Sequence, residues 1–206
     1  MYTSIMDDST RIIIVRHGQT ISNSEHKFDG QQDTSLSPLG RKQIDELSKK
    51  LKTIKFDLIV SSPLSRARNT ANAIAKGQNY KKSVDIEASF MEIDCGDCTG
   101  LSRREIEQKY SDLVNEWQLN TDPRFPGGEN MEDVEKRAIK SFINIAENNK
   151  GKTILITGHG TLNRAIIGYL LHIPYGLRFN ITQKNCAVNE IIYKDTNKFK
   201  IEVLNG

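Results

Sequence analysis

The stretch RIIIVRHGQT, Arg11 to Thr20, decides how the rest of the chain is read. Ile12 to Val15 are four branched apolar residues in a row. Such a run suits a strand buried on both faces, as in a parallel sheet covered by helices. It stops abruptly at Arg16-His17-Gly18. A cation and an imidazole at the end of a buried strand, followed by the residue that turns at no steric cost, have the makings of a site, because ligands of open α/β sheets sit beyond the carboxyl ends of the strands.

Working outward, the chain alternates strands with helices. LSPLGRKQIDELSKKL reads as a helix capped by Ser37 with Pro38 in its first turn, and Ile44, Leu47 and Leu51 share one face. FDLIVSS is a second buried strand, and SPLSRARNTANAIA opens a second helix with Pro63 in its first turn. A short strand near VDIE is followed by the irregular MEIDCGDCTG. A capping box, Ser102 with Glu105, opens another helix up to Tyr110, and a long helix spans about Asn130 to Asn149. KTILITGHG is a further strand, LNRAIIGYLL a helix, and CAVNEIIY and KFKIEVL are terminal strands. The order predicts an α/β fold of three layers: a mostly parallel sheet with helices on both faces. Three strands then end in chemistry on one rim, the first in Arg16-His17-Gly18, the second in Ser61-Ser62 with Arg66 one turn into its helix, the fourth in Gly158-His159-Gly160. Arginine forks and helix N-termini suit an oxyanion, above all a phosphate.

Composition narrows the field. The chain has 206 residues and is 37% hydrophobic, which suits one domain over 11–206 with a flexible N-terminus over 1–10. The net charge of +3 is spread along the chain, which argues against nucleic acid and leaves small anions open. MYTSIMDDST lacks a signal-peptide core and no apolar run reaches membrane-spanning length, so a cytoplasmic protein with no membrane partner is expected. The three cysteines are expected to be reduced thiols; Cys95 and Cys98 have the spacing of a zinc half-site or a redox pair, but Cys186 supplies no second pair. His26 and His172 match no pattern and read as surface groups.

The blocks together resemble the histidine phosphatase superfamily, in its phosphoglycerate mutase-like branch. RHGQT resembles the signature around the nucleophilic histidine, LSPLGRKQ and SSPLSRARNTA its following motifs, MEIDCG the acid-bearing loop, PGGEN the Pro-Gly-Gly-Glu segment and GHGTLNR the second histidine motif. The resemblance implies that His17 takes the phosphoryl group, that Arg16, Arg66, Asn23 and His159 hold its oxygens, and that Glu92 is the general acid and base, with Asp94 the next candidate. Gly30 closes the phosphate loop, Gly160 follows the second histidine, and Pro126 to Glu129 reads as a cap for the long helix. A cage of cations can replace a metal in phosphoryl transfer, so no metal or cofactor is expected.

The implied activity is hydrolysis of a small phosphorylated metabolite through a phosphohistidine. A mutase-type phosphotransferase and a non-catalytic phosphate-binding relative remain alternatives. Relatives of the mutase type carry a longer insertion before the glycine-rich turn, whereas here only residues 101–125 form a lid-like insertion, with Trp117 able to line it. Departures from the family pattern occur at Cys98 and Thr99, and at Asp29, where relatives often carry glutamine. A carboxylate at Asp29 would repel phosphate unless it faces away, meets a lysine or arginine, or contacts a cationic group on the substrate. Arg103, Arg104, Lys27 and Arg124 are candidates for a second acidic group or for solvated surface charge. Oligomeric state is left open, with a homodimer allowed.

Overall fold

A computed structural model describes residues 8–206. The branched run forms the strand β1 (Thr10–Arg16), followed by a single helical turn, α1 (Ile21–Ser24), and by α2 (Pro38–Lys50). Next come β2 (Leu58–Ser61), α3 (Ser65–Gly77) and the two-residue β3 (Asp85–Ile86). Helices α4 (Arg103–Lys109), α5 (Ser111–Gln118) and α6 (Met131–Glu147) precede β4 (Thr153–Gly158) and α7 (Gly160–Leu170). The chain closes with β5 (Val188–Asp195) and β6 (Lys198–Val203).

The six strands form one mixed sheet in the order β3-β2-β4-β1-β5-β6. The first four are parallel, β5 runs antiparallel to β1, and β6 runs antiparallel to β5. Because side chains alternate across a strand, β1 divides its apolar run between two cores. Ile12 and Ile14 face Ala138 and Phe142 of α6 and Leu162 and Ile166 of α7. Ile13 and Val15 face Leu47 of α2 and Ala71 and Ile74 of α3. Helices therefore cover both faces, as expected. Each fully buried isoleucine contributes roughly 1.5–3 kcal/mol of apolar burial, so β1 anchors both layers and fixes where its last residues point.

The caps explain most helix starts. Ser37 Oγ accepts from the Gly40 N–H, Ser102 and Glu105 form the expected capping box, and Asn130 forms another with Asp133. Three boundaries differ from the sequence expectation. Pro63 does not lie in the first turn of α3: Leu64 is the N-cap and, being apolar, offers no side-chain cap, while the Ser62 hydroxyl receives the Leu64 N–H and lies 2.8 Å from His159 Nε2. Helix α7 starts at Gly160, directly after His159, and not at Leu162. The segment 101–125 carries two helices, where one was expected.

The flexible N-terminus expected over 1–10 lies partly outside the described residues, but Thr10 is buried and already part of β1, where its Oγ1 donates to Ala146 O at 2.6 Å. Among the described residues no helix is long and apolar enough to cross a membrane.

Candidate active site

Parallel register brings the strand ends together. Arg16 of β1 lies beside Gly158 of β4, and Ser61 of β2 beside Thr157 of β4. Beyond them opens a cavity of about 410 Å³. Arg16, His17, Asn23, Asp29, Gly30, Arg66, Glu92 and Gly160 all line it. His159, also expected there, lies just behind, its ring 5.2 Å from that of His17.

His17 is 3% exposed. Its Nδ1 lies 2.7 Å from Gly18 O, and a carbonyl only accepts, so Nδ1 carries the proton and Nε2 keeps its lone pair. Burial, then Arg66 and Arg16, hold the imidazole pKa well below its ordinary value. A buried neutral histidine with one nitrogen fixed as donor is a nucleophile in its reactive form.

The cations around it are held by backbone carbonyls. Arg66, 1% exposed, donates from Nη1 to Gln32 O and from Nη2 to Gly30 O, both at 2.8 Å. Gly30 adopts φ +52°, a left-handed conformation that costs glycine little, and this turns its carbonyl to Arg66. Arg16 Nη1 donates to Gln183 O at 2.6 Å. Burial lowers the pKa of both guanidinium groups, and of Arg164, yet an arginine remains charged. Arg16 Nε, Arg66 Nε and His159 Nδ1 are buried without a hydrogen-bond partner. Buried polar atoms without partners are rare, and two guanidinium N–H donors among them beside one cavity fit a ligand rich in acceptor oxygens. His159 Nε2 lies 2.8 Å from Ser62 Oγ, and burial, then Arg66, keeps that ring neutral too.

Glu92 faces the start of α7. Its two carboxylate oxygens each lie 3.2 Å from Thr161 N, and Oε1 also accepts from its neighbour Ile93 N at 2.9 Å. A buttress fixes this loop. Arg137 of α6 donates to Ser89 O, Met91 O and Glu92 O while pairing with Glu129 at 2.8 Å. Glu129 in turn accepts from Asp94 N at 2.9 Å. The Pro-Gly-Gly-Glu turn thus does more than precede a helix. At Gly128 a Cβ would come within 2.3 Å of Asp94 O, so only glycine allows the turn to lie against the Glu92 loop.

Several cavity residues escaped the sequence reading. Arg164 adds a third guanidinium, held by Ile181 O at 2.8 Å. Asn185 lines the wall and donates to His17 O and Asn23 Oδ1. Thr161 belongs to the same wall, and His26, expected to be an ordinary surface group, is exposed but stands at the cavity. His172 is exposed, past the end of α7.

The four charged-group candidates divide. Lys27 lines the cavity and pairs with Glu25, Arg124 pairs with Asp133, and Arg103 stacks over Trp117 at 5.6 Å. Arg104 is exposed on α4. No residue of 101–125 lines this cavity; instead Trp117 and Phe125 cluster with Phe28 at its flank. Cys95 and Cys98 are buried beside this cluster, and burial pushes both thiols up.

A mostly parallel sheet whose carboxyl rim presents a neutral histidine under three guanidinium groups defines an α/β protein with a rim suited to an oxyanion. A family profile described as Histidine phosphatase superfamily (branch 1) matches residues 12–205, and the chain belongs to that family. It is 31% identical to "2,3-bisphosphoglycerate-dependent phosphoglycerate mutase 2" of Gloeobacter violaceus over 166 residues, 79% of this chain and 76% of that protein. It is 26% identical to "Probable phosphoglycerate mutase GpmB" of Citrobacter koseri over 195 residues, 90% and 86% of the two chains. Among solved structures it resembles a mycobacterial glucosyl-3-phosphoglycerate phosphatase, with a TM-score of 0.83 and 26% identity over 96% of this chain and 99% of that one. A phosphoserine phosphatase mutant from Entamoeba histolytica, in complex with phosphoserine, matches with a TM-score of 0.84 and 26% identity, covering 95% and 96%.

Proposed function

We propose that the protein hydrolyses a small phosphomonoester through a phosphohistidine, without a metal. The observation that carries this reading is the neutral His17, its Nε2 lone pair free, beside the unpartnered Nε atoms of Arg16 and Arg66. In the first half-reaction Nε2 attacks phosphorus and the ester P–O bond breaks, while Glu92 gives a proton to the departing alkoxide. In the second, Glu92 takes a proton from water, whose oxygen attacks phosphorus. The P–N bond breaks and inorganic phosphate leaves with Nε2 restored. Arg16, Arg66 and Arg164 offset the charge that spreads over the phosphoryl oxygens, which is where most of the catalysis of such transfers resides.

Hydrolysis is favoured over transfer back to a product because residues 101–125 pack at the flank and line none of the cavity, so that segment does not shield a phosphohistidine from water. The glucosyl-3-phosphoglycerate and phosphoserine phosphatases among the structural neighbours support the same choice, while the mutase names of the sequence relatives support the competing one. Phosphate release from p-nitrophenyl phosphate and from a panel of alkyl phosphates, run with chelator present, tests the proposal. The expected result is release from both. Interconversion of 2- and 3-phosphoglycerate with no phosphate released would overturn it in favour of a mutase.

A further inference from the structure

Asp29 is the residue that does not suit a site for a bare phosphate. It is only 8% exposed and lines the cavity, so it does not face away. Nor is it directly paired: Arg66 and Arg16 both feel its charge, but both Arg66 Nη atoms donate to the carbonyls of Gln32 and Gly30, Arg16 Nη1 donates to Gln183 O, and among the described residues no lysine or arginine forms an ion pair with Asp29. Its Oδ2 accepts from Thr20 Oγ1 at 2.8 Å and from Asn23 Nδ2 at 3.4 Å. These two contacts fix the carboxylate and leave Oδ1 buried without a partner. A buried charged oxygen with nothing to accept from is costly unless a ligand supplies the donor.

We infer that the substrate is an amino-alcohol phosphomonoester whose ammonium group donates to Asp29 Oδ1 while its phosphoryl group rests on Arg16 and Arg66. This rests on the phosphomonoesterase reading and narrows its substrate class. Position supports it: Asp29 directly precedes Gly30, whose carbonyl holds Arg66, it lines the same cavity, and both Arg66 and Arg16 feel its charge, so an ammonium at Asp29 stands near a phosphoryl group on those guanidinium groups. A β-amino alcohol has that shape. The ammonium also separates the dianionic phosphoryl group from a like charge, which a hydroxyl in its place would not do. Hydrolysis then yields the free amino alcohol and inorganic phosphate, by the two steps given above.

O-phosphoserine and 3-phosphoglycerate differ only in carrying an amine or a hydroxyl on the central carbon. The cavity is lined by Arg16, Lys27, Arg66 and Arg164 against Asp29 and Glu92, so its overall charge favours 3-phosphoglycerate, the more negative of the two. A preference for phosphoserine must therefore come from a local contact.

Calorimetric binding of both to the His17→Ala protein, which cannot turn them over, is expected to favour phosphoserine by about tenfold to a hundredfold, as for a hydrogen bond to a charged group. Asp29→Asn in that background keeps an acceptor for Thr20 and is expected to weaken phosphoserine and tighten 3-phosphoglycerate. Equal affinities, or the same ratio after Asp29→Asn, would overturn amine recognition. Phosphate release by the unaltered protein is read separately. An amine preference in binding with no release of phosphate would sink hydrolysis and leave recognition standing, and release without preference would do the reverse.

Discussion

The floor of the cavity and its wall are built differently. The floor comes from strand ends and the helix that follows β2: Arg16, His17, Arg66 and, behind them, His159, all fixed by backbone partners or by burial between α-helical layers. The wall comes from loops: Asn23 to Gly30, Glu92 to Cys95, and Asn185. The floor contacts of Arg16, His17 and Arg66 run from side chain to main chain and would serve any phosphoryl group. The wall adds contacts from side chain to side chain, as in Thr20 to Asp29 and Asn23 to Asn185, and these change with each substitution. On the proposed function, the difference separates what would hold the phosphate from what would choose the molecule attached to it.

Three changes would break or sharpen that division. His17→Ala, on the floor, is expected to remove turnover of every substrate, by a factor on the order of 10⁶ as for loss of a nucleophile; activity above background, measured as phosphate release, would move the nucleophile elsewhere. Glu92→Gln, on the wall, is expected to be selective. Single-turnover phosphorylation of His17 by an alkyl phosphate should slow by about 10²–10⁴-fold, and by p-nitrophenyl phosphate much less, since that leaving group departs without a proton. Equal losses with both donors would make Glu92 a positioning residue.

The smallest effect concerns stability. His17 and His159 both have pKa values held well below the ordinary imidazole value of 6.5. As pH falls below that value the unfolded chain binds protons that the folded chain refuses, so stability is fully present above pH 6.5 and is lost on acidification. Each histidine adds a slope of at most about 1.4 kcal/mol per pH unit. Urea unfolding between pH 7 and pH 5 should show a clear decline, reduced in His159→Gln; an identical slope in the variant would mean that His159 is not kept neutral.

Much of the floor was legible in the sequence, because β-branched runs mark buried strands and the chemistry sits where those runs stop. Arg16, His17 and His159 could be placed on that rule alone, and Arg66 by counting one turn. The wall was harder. Arg164 lies in the same GHGTLNR segment as His159, but starting its helix at Leu162 instead of Gly160 shifts the helical phase, and with it the direction of the guanidinium. Asn185 precedes Cys186, a non-glycine residue with φ +59° whose N–H reaches Arg16 O and His17 O. Nothing in local periodicity announces such a turn, since tertiary contacts impose it. Helix α5 was missed because its eight residues follow α4 after a single residue, Tyr110, with no side-chain cap to mark a new start. The Arg137–Glu129 buttress joins residues that only the folded Pro-Gly-Gly-Glu turn brings together.

The place of β1 in the sheet has a consequence for synthesis. Among the described residues its only strand neighbours are β4 and β5, with Arg11 opposite Thr153 on one side and Ile192 on the other. The strand that leads into His17 is thus made well before either of its partners. Until they emerge from the ribosome, Ile12 to Val15 remain a short, sticky β-prone segment with both edges open, the kind that chaperones shield and that aggregates when they do not. Pairing so distant in sequence also slows folding, because a long loop must close before any contact rewards it. A nascent chain halted before β4 holds His17 but lacks the strand end that sets it beside Gly158 and His159, so the rim is assembled only once β4 has been made.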